Sequence, residues 1–205
     1  MKIKVCGMKF PGNIRDLSKL PVCYMGMIFY DKSPRFADGL TFADVNILPS
    51  HIQRVGVFVN ADIDFIMEKV NKYNLGLVQL HGSESAAFCK ELDKTIPVIK
   101  AFNVSDISDF GQTKVYEDAC SYFLFDTKTP QHGGSGLKFD WQILDAYTGK
   151  RNFFLSGGIS AGDTESIKKI QHPKFYGIDL NSKFETEPGL KDITRLQQFI
   201  KALVL

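Results

Sequence analysis

Short apolar runs in this chain end, one after another, on side chains that could move protons or hold anions. IKV runs into Cys6-Gly7, the second run leads into FYDKSPRF with Arg35, VGVFV closes on Asn60, and VQL meets His81-Gly82. YFLF ends in Asp126, NFFL in Ser156-Gly157-Gly158, and YGI in Asp179 followed by Asn181-Ser182. A Gly-Gly turn lets backbone N–H groups approach an oxygen-rich ligand. A helix start in the last of these loops would favour an anion through its free N–H groups. Arg35 follows Ser33-Pro34, which stiffens its approach, and a guanidinium suits a bidentate contact with a carboxylate. Each feature also has a plain reading: two glycines as a turn, a strand-end Cys as a packed hydrophobe, an Asp as a helix cap, an Arg as a surface cation.

The elements that must position these groups follow from the pattern. Strand candidates fall at 3–6, 24–29, 54–59, 76–80, 98–102, 122–126, 152–156 and 176–180, with helix-compatible stretches between them. Ile63, Ile66, Met67 and Val70 share a helical face behind Asp62 as N-cap. Ser83 is placed to cap a helix over 84–93, and Ile193, Leu196, Phe199, Ile200 and Leu203 line a last helix. Repeated strand–helix alternation predicts a parallel sheet covered by helices, and eight units predict a (β/α)8 barrel over residues 1–205 as a single domain, with an open doubly wound sheet as second choice. In a barrel the carboxyl ends of the strands form the working face, and a phosphate site commonly lies after strands 7 and 8. That is where the residues above cluster.

Composition narrows the partners. The chain has 205 residues, 25 Lys+Arg against 23 Asp+Glu, and 44% hydrophobic residues, enough for a full core. The balanced charge shows no basic stripe for a nucleic acid, and no apolar run approaches membrane-spanning length. MKIKVCGMK has no signal-peptide apolar core, so a cytoplasmic protein is expected. Cys6, Cys23, Cys89 and Cys120 lack CxxC spacing, which suggests neither a zinc site nor a disulfide framework.

KVCG at 4–7, FYDKSPRF at 29–36, VGVFVN at 55–60 and VQLHG at 78–82 carry a further signal. So do FDT at 125–127, GGSG at 133–136, FDW at 139–141, SGGI at 156–159 and ETEPGLKD at 185–192. In this order the chain resembles the phosphoribosylanthranilate isomerases of tryptophan biosynthesis. The resemblance implies an Amadori rearrangement of N-(5-phosphoribosyl)anthranilate to 1-(2-carboxyphenylamino)-1-deoxyribulose 5-phosphate, with no metal or organic cofactor. It implies Cys6 as general base, Asp126 as general acid and Arg35 on the anthranilate carboxylate, with His81 either shaping the site or holding a structural hydrogen bond. Where the family has Ser-Ser-Gly after strand 8, this chain reads Asn181-Ser182-Lys183.

One acid and one base suffice for this chemistry. An Asp holding its proton at neutral pH needs its pKa raised by about 3 units, equivalent to about 4 kcal/mol, which burial and a neighbouring negative charge would supply. A thiol near 8.5 is within reach of useful base strength, so Cys6 and Asp126 are expected to act as a coupled pair. KTPQHGGSG at 128–136 reads as a mobile loop over the site or as a plain surface loop. Another phosphosugar barrel enzyme, or a non-catalytic phosphosugar-binding barrel, are the alternatives, and the chain is expected to be a monomer or homodimer.

Overall fold

The computed structural model describes residues 1–127 and 139–204. Eight parallel strands close into a barrel in sequence order: β1 Lys2–Val5, β2 Tyr24–Ile28, β3 Gln53–Phe58, β4 Leu77–Leu80, β5 Val98–Val104, β6 Tyr122–Thr127, β7 Phe153–Leu155 and β8 Phe175–Leu180. β1 pairs with β8 to close the ring, with Lys4 opposite Asp179. The expected strands are all present, with ends shifted by a residue or two.

Strand alternation sorts the side chains into two cores. Tyr24, Val55, Leu77, Ile99, Ala101, Leu124 and Phe154 fill the barrel interior. Near its amino end the Tyr24 and Tyr176 hydroxyls meet at 3.0 Å, and Tyr24 stands edge-on to Phe154. The alternate residues, among them Val5, Met25, Phe58, Val78, Phe102 and Phe123, face outward into the layer under the helices.

That outer layer departs from simple alternation with α-helices. α1 Pro11–Leu17, α2 Phe42–Asn46, α3 Ile63–Tyr73, α4 Ala86–Asp93, α5 Thr164–Lys168 and α6 Ile193–Val204 are α-helical. After β5 the chain instead forms a 3₁₀ segment at Ile107–Tyr116, and another spans Trp141–Ala146. Gly111 and the β-branched Thr113 and Val115 make the first a poor α-helix. Aromatic bulk fills the space: Phe110 meets Phe125 at 5.1 Å, and Tyr147 meets Phe125 at 5.0 Å.

Asp62 caps α3 as expected, accepting from the Phe65 N–H. The expected cap on α4 moves from Ser83 to Ser85. Ser83 is occupied elsewhere, since its N–H and hydroxyl both donate to Asn60 Oδ1, and Glu84 is drawn inward to Lys100. The helix therefore begins only at Ala86. On α6, Leu196, Phe199, Ile200 and Leu203 are buried as the spacing predicts, each worth about 1.5–3 kcal/mol of burial. A small hairpin, β9 Glu185–Glu187 with β10 Leu190–Lys191, follows β8 and reaches back over the start of the chain. No helix among the described residues is long and apolar enough to cross a membrane.

Candidate active site

On β1, Ile3 and Val5 point into the outer layer, so Lys4 and the following Cys6 share the inward face. Cys6 is 3% exposed, and its N–H donates to Leu180 O at 2.9 Å. Glycine at position 26 on β2 makes room for the thiol, because a Cβ there would stand 2.8 Å from Cys6 Sγ. Beneath the sulfur, the fully buried Lys4 Nζ donates to Asp179 Oδ1 at 2.9 Å. Burial works against the Lys4 ammonium, but Asp179 and Cys6 outweigh it and hold Lys4 above the ordinary lysine value. Burial pushes the Cys6 thiol up as well; Lys4 and Lys191 pull it down, Asp179 pushes it up, and the net direction is upward. The charges acting most strongly on Cys6 are thus Lys4, Asp179 and Lys191, rather than the expected partner Asp126.

Asp126 follows Leu124 by two residues and shares its inward face. It is buried, and its Oδ1 accepts from Thr127 N–H at 2.8 Å. Its Oδ2 lies 3.4 Å from His81 Nε2, an approach too loose to satisfy that nitrogen as a hydrogen bond. Gln79, also on the inner face, brings Nε2 to within 2.9 Å of His81 Nδ1. With the Gln79 amide placed as donor, the ring proton sits on Nε2 and is turned to Asp126. Gly157 braces the far side of this carboxylate. Its φ is +88°, and a Cβ would collide with Thr127 Oγ1 and stand 2.9 Å from Asp126 Oδ1. Gly158 is also left-handed, at +66°. Only glycine takes up this turn without strain while letting β6 and β7 meet so closely.

Arg35 belongs to a second cluster, built over Gly7. That glycine has φ +77°, and a Cβ there would stand 2.8 Å from both Arg35 Cδ and Asn181 Oδ1. The Arg35 guanidinium grips Glu185 in a fork, Nε to Oε1 at 2.9 Å and Nη2 to Oε2 at 2.7 Å. The buried Lys191 Nζ donates to the same carboxylate at 2.5 Å and to Asn181 Oδ1 at 2.7 Å. Burial works against the Glu185 charge, but the two cations overcome it and hold its carboxyl below the usual glutamate value. Two cations thus share one carboxylate, an excess of one positive charge beside Cys6. Bidentate binding was expected of Arg35, and the structure supplies a carboxylate from within the chain.

Cys6, His81, Asp126 and Asp179 gather on the inner face at the carboxyl mouth, with Gly157 against Asp126 and Asn181 in the Arg35 cluster. Ser182 opens the 3₁₀ turn Ser182–Phe184, and Lys183 is exposed. Of the other histidines, His172 joins the Tyr147 carbonyl at 2.8 Å and is structural, and His51 lies exposed. His132 and the 128–136 loop lie outside the described residues. Lys4, Gln79, Glu185 and Lys191 lie within segments that the sequence singled out, but no role was read for them. For Lys4 the signal was its parity with Cys6, two residues on. Among the described residues no group of three or more His, Cys, Asp or Glu side chains could hold a metal ion.

A thiol, a carboxyl and a cationic cluster at the mouth of a closed barrel suit chemistry on an anionic substrate, and comparison with known proteins says which family the chain belongs to. The family model for N-(5'-phosphoribosyl)anthranilate (PRA) isomerase matches residues 3–202. The chain is 46% identical to the N-(5'-phosphoribosyl)anthranilate isomerase of Parabacteroides distasonis, over 100% of this chain and 94% of the relative. It is 42% identical to that of Phocaeicola vulgatus, over 99% and 98%. Among solved structures it resembles the Thermotoga maritima phosphoribosyl anthranilate isomerase, with 32% identity, a TM-score of 0.84, and 100% and 98% of the two chains covered. It also resembles a phosphoribosyl anthranilate isomerase complexed with reduced 1-(o-carboxyphenylamino)-1-deoxyribulose 5-phosphate, with 30% identity, a TM-score of 0.80 and the same coverage. A match running from the third residue almost to the last, through every strand of the barrel, makes this chain a member of the N-(5'-phosphoribosyl)anthranilate isomerase family.

Proposed function

We propose that Cys6 and Asp126 divide the proton transfers of the family's reaction between them. The chain is an isomerase of tryptophan biosynthesis, converting N-(5-phosphoribosyl)anthranilate to 1-(2-carboxyphenylamino)-1-deoxyribulose 5-phosphate. The observation that carries the division of labour is positional: a thiol from the end of β1 and a carboxyl from β6, three strands away round the ring, share the inner face at one mouth.

Asp126 in its acid form gives its proton to the ribose ring oxygen. The C1–O bond breaks as the nitrogen lone pair moves in to form the C1=N iminium. The Cys6 thiolate then takes the proton from C2, and the C–H electron pair forms C1=C2 and neutralises the nitrogen. Ketonisation moves a proton from the C2 hydroxyl to C1 and completes the isomerisation. His81 turns Nε2 toward the Asp126 carboxyl, and Gly157 fixes the carboxyl's depth. Arg35, already held by Glu185, presents its remaining donors to the anthranilate carboxylate. Gly157, Gly158, Asn181 and Ser182 offer the 5-phosphate a rim in which the side chain of Asn181 is set by Lys191. Asp179 completes the substrate-binding residues at the mouth, and its Oδ1 also accepts from Lys4.

The partner implied is a small phosphosugar rather than a nucleic acid or a membrane, and no cofactor is required. The whole of 1–205 acts as one catalytic barrel, in the cytoplasm, as monomer or homodimer; one solved Thermotoga maritima structure is described as generated monomers of a dimeric phosphoribosylanthranilate isomerase. The test is a coupled assay that forms phosphoribosylanthranilate in place and follows loss of its fluorescence. Cys6→Ser and Asp126→Asn are each expected to lower kcat by at least about 100-fold, the scale of a lost acid or base, with the fold intact by circular dichroism. Near-normal turnover in either variant overturns the assignment, and saturation without turnover in the parent points to a binding protein.

A further inference from the structure

The interior of the barrel is apolar but for a few side chains, and the most deeply buried of them, Lys4, has no part in the reaction described above. A buried ion pair is weak evidence for stability, because desolvating both charges offsets their attraction. Lys4 and Asp179 stand directly opposite each other on β1 and β8, joined at 2.9 Å, with no exposed surface on the lysine. Cys6 comes two residues after Lys4 on the same face.

We propose that Lys4 is a positioning residue for the general base: its buried ammonium, gripped by Asp179, is the counter-ion the Cys6 sulfur takes up as it ionises. The inference deepens the acid–base reading and rests on Cys6 being the base. An ammonium has three donors and Asp179 Oδ1 uses one, which leaves others for the neighbouring sulfur. Burial is the largest influence on the thiol and opposes its ionisation, and Lys4 is the strongest influence in the other direction.

The charges facing Cys6 come from several elements: Lys4 on its own strand, Asp179 on β8 and Lys191 on β10. Arg35 and Glu185 lie next to it over Gly7, and Asp126 and His81 act on Asp179 from β6 and the end of β4. With Cys6 as a thiol, the Lys4–Asp179 pair is neutral and the Arg35–Glu185–Lys191 cluster carries one excess positive charge. Ionising the sulfur cancels that excess. Thiolate formation therefore leaves the ensemble of Lys4, Asp179, Cys6, Arg35, Glu185 and Lys191 neutral, the arrangement a low-dielectric interior favours. When the thiolate takes the C2 proton, the S–H bond forms and the same groups return to their starting charge, so Lys4 itself neither gives nor receives a proton.

The test reads Cys6 directly. The pH dependence of its alkylation by iodoacetamide, located by peptide mass mapping, gives its ionisation midpoint, and the acid limb of kcat/KM gives the same quantity in turnover. Lys4→Met with Asp179→Asn removes both charges at once and leaves no lone ion in the core. In this variant the midpoint is expected to rise by at least about one unit, a tenfold or greater loss of thiolate and of kcat/KM on the acid limb. Asp179→Asn alone frees the ammonium for the sulfur and is expected to move the midpoint down. A midpoint in the double variant within about 0.3 unit of the parent, or a rise in Asp179→Asn, overturns the proposal. Should the double variant not fold, the direction in Asp179→Asn decides. Failure of the base assignment is separate, since Cys6→Ser would then keep its turnover whatever the titrations show.

Discussion

Replacing Glu185 by Gln keeps the shape of the side chain and removes its charge. In the parent, that carboxylate neutralises two cations: Arg35, with 13% of its side chain exposed, and Lys191, with none. Breaking a buried pair by removing one partner costs about 3–5 kcal/mol, and the polar amide, still able to accept from Arg35, places the expected loss at the lower end, about 3 kcal/mol. With a urea slope of about 3 kcal/mol/M, the unfolding midpoint at pH 7 should fall by roughly 1 M. The loss should also depend on pH. The folded-state pKa of Glu185 lies below its unfolded value, so its contribution is complete above about 4.3 and disappears as pH falls through the folded value. Parent and variant should differ most near neutrality and converge in acid. Turnover gives a second readout: with its fork opened, Arg35 loses its fixed orientation, and KM should rise more than kcat falls. A midpoint difference that stays constant from pH 7 to pH 3, or one of less than about 0.3 M at pH 7, would refute the reasoning, because the shared carboxylate would then hold nothing together.

Gly157→Ala meets both a left-handed backbone and a collision with Thr127, so it should cost about 2–5 kcal/mol by denaturant titration and lower kcat by about 100-fold as Asp126 is displaced. With the Cys6 thiolate as the proposed base, the upward direction of its thiol means that kcat/KM should still climb as pH rises above 7; a profile already level at pH 7 would contradict this. Lys100 is buried outside the barrel with Glu84 and the Gly82 carbonyl, away from the reacting groups. Lys100→Met should therefore destabilise by about 3–5 kcal/mol in a thermal or urea unfolding curve while kcat stays within about threefold of the parent.

The strands were legible because each is a short apolar run closed by a polar or small residue, and pairing within a closed ring demands little more. The outer layer was less so. The stretch over Ile107–Tyr116 has the length of a helix, but its glycine and β-branched residues, together with the aromatic filling beneath, settle it as a 3₁₀ segment. Ser83 and Ser85 are equally good caps by residue type, and only the long-range claims of Asn60 and Lys100 on that loop choose between them. Cys6 and Asp126 could be found because strand ends mark the working face. Lys4 could not be assigned a role in the same way, because a lysine early in a charged N-terminal segment reads as solvated until its partner 175 residues away is known. Glu185 and Lys191 sat within a quoted motif, but the grip of Glu185 on both Arg35 and Lys191 depends on the hairpin folding back over Gly7.

The seam where the ring shuts is stitched by side chains from opposite extremes of the polypeptide. Besides Lys4 with Asp179, Asn13 exchanges a reciprocal pair of hydrogen bonds with the backbone of Lys191. A chain growing from the ribosome makes β1 first and must hold it open until β8 and the hairpin emerge. Contacts of such span are the slowest to form. Until then a lysine meant for the interior has no counter-charge, which disfavours premature compaction of the amino-terminal half. Fragments that stop short of residue 180 should thus remain protease-sensitive, and catalytic competence should arrive only with the final fifth of the protein.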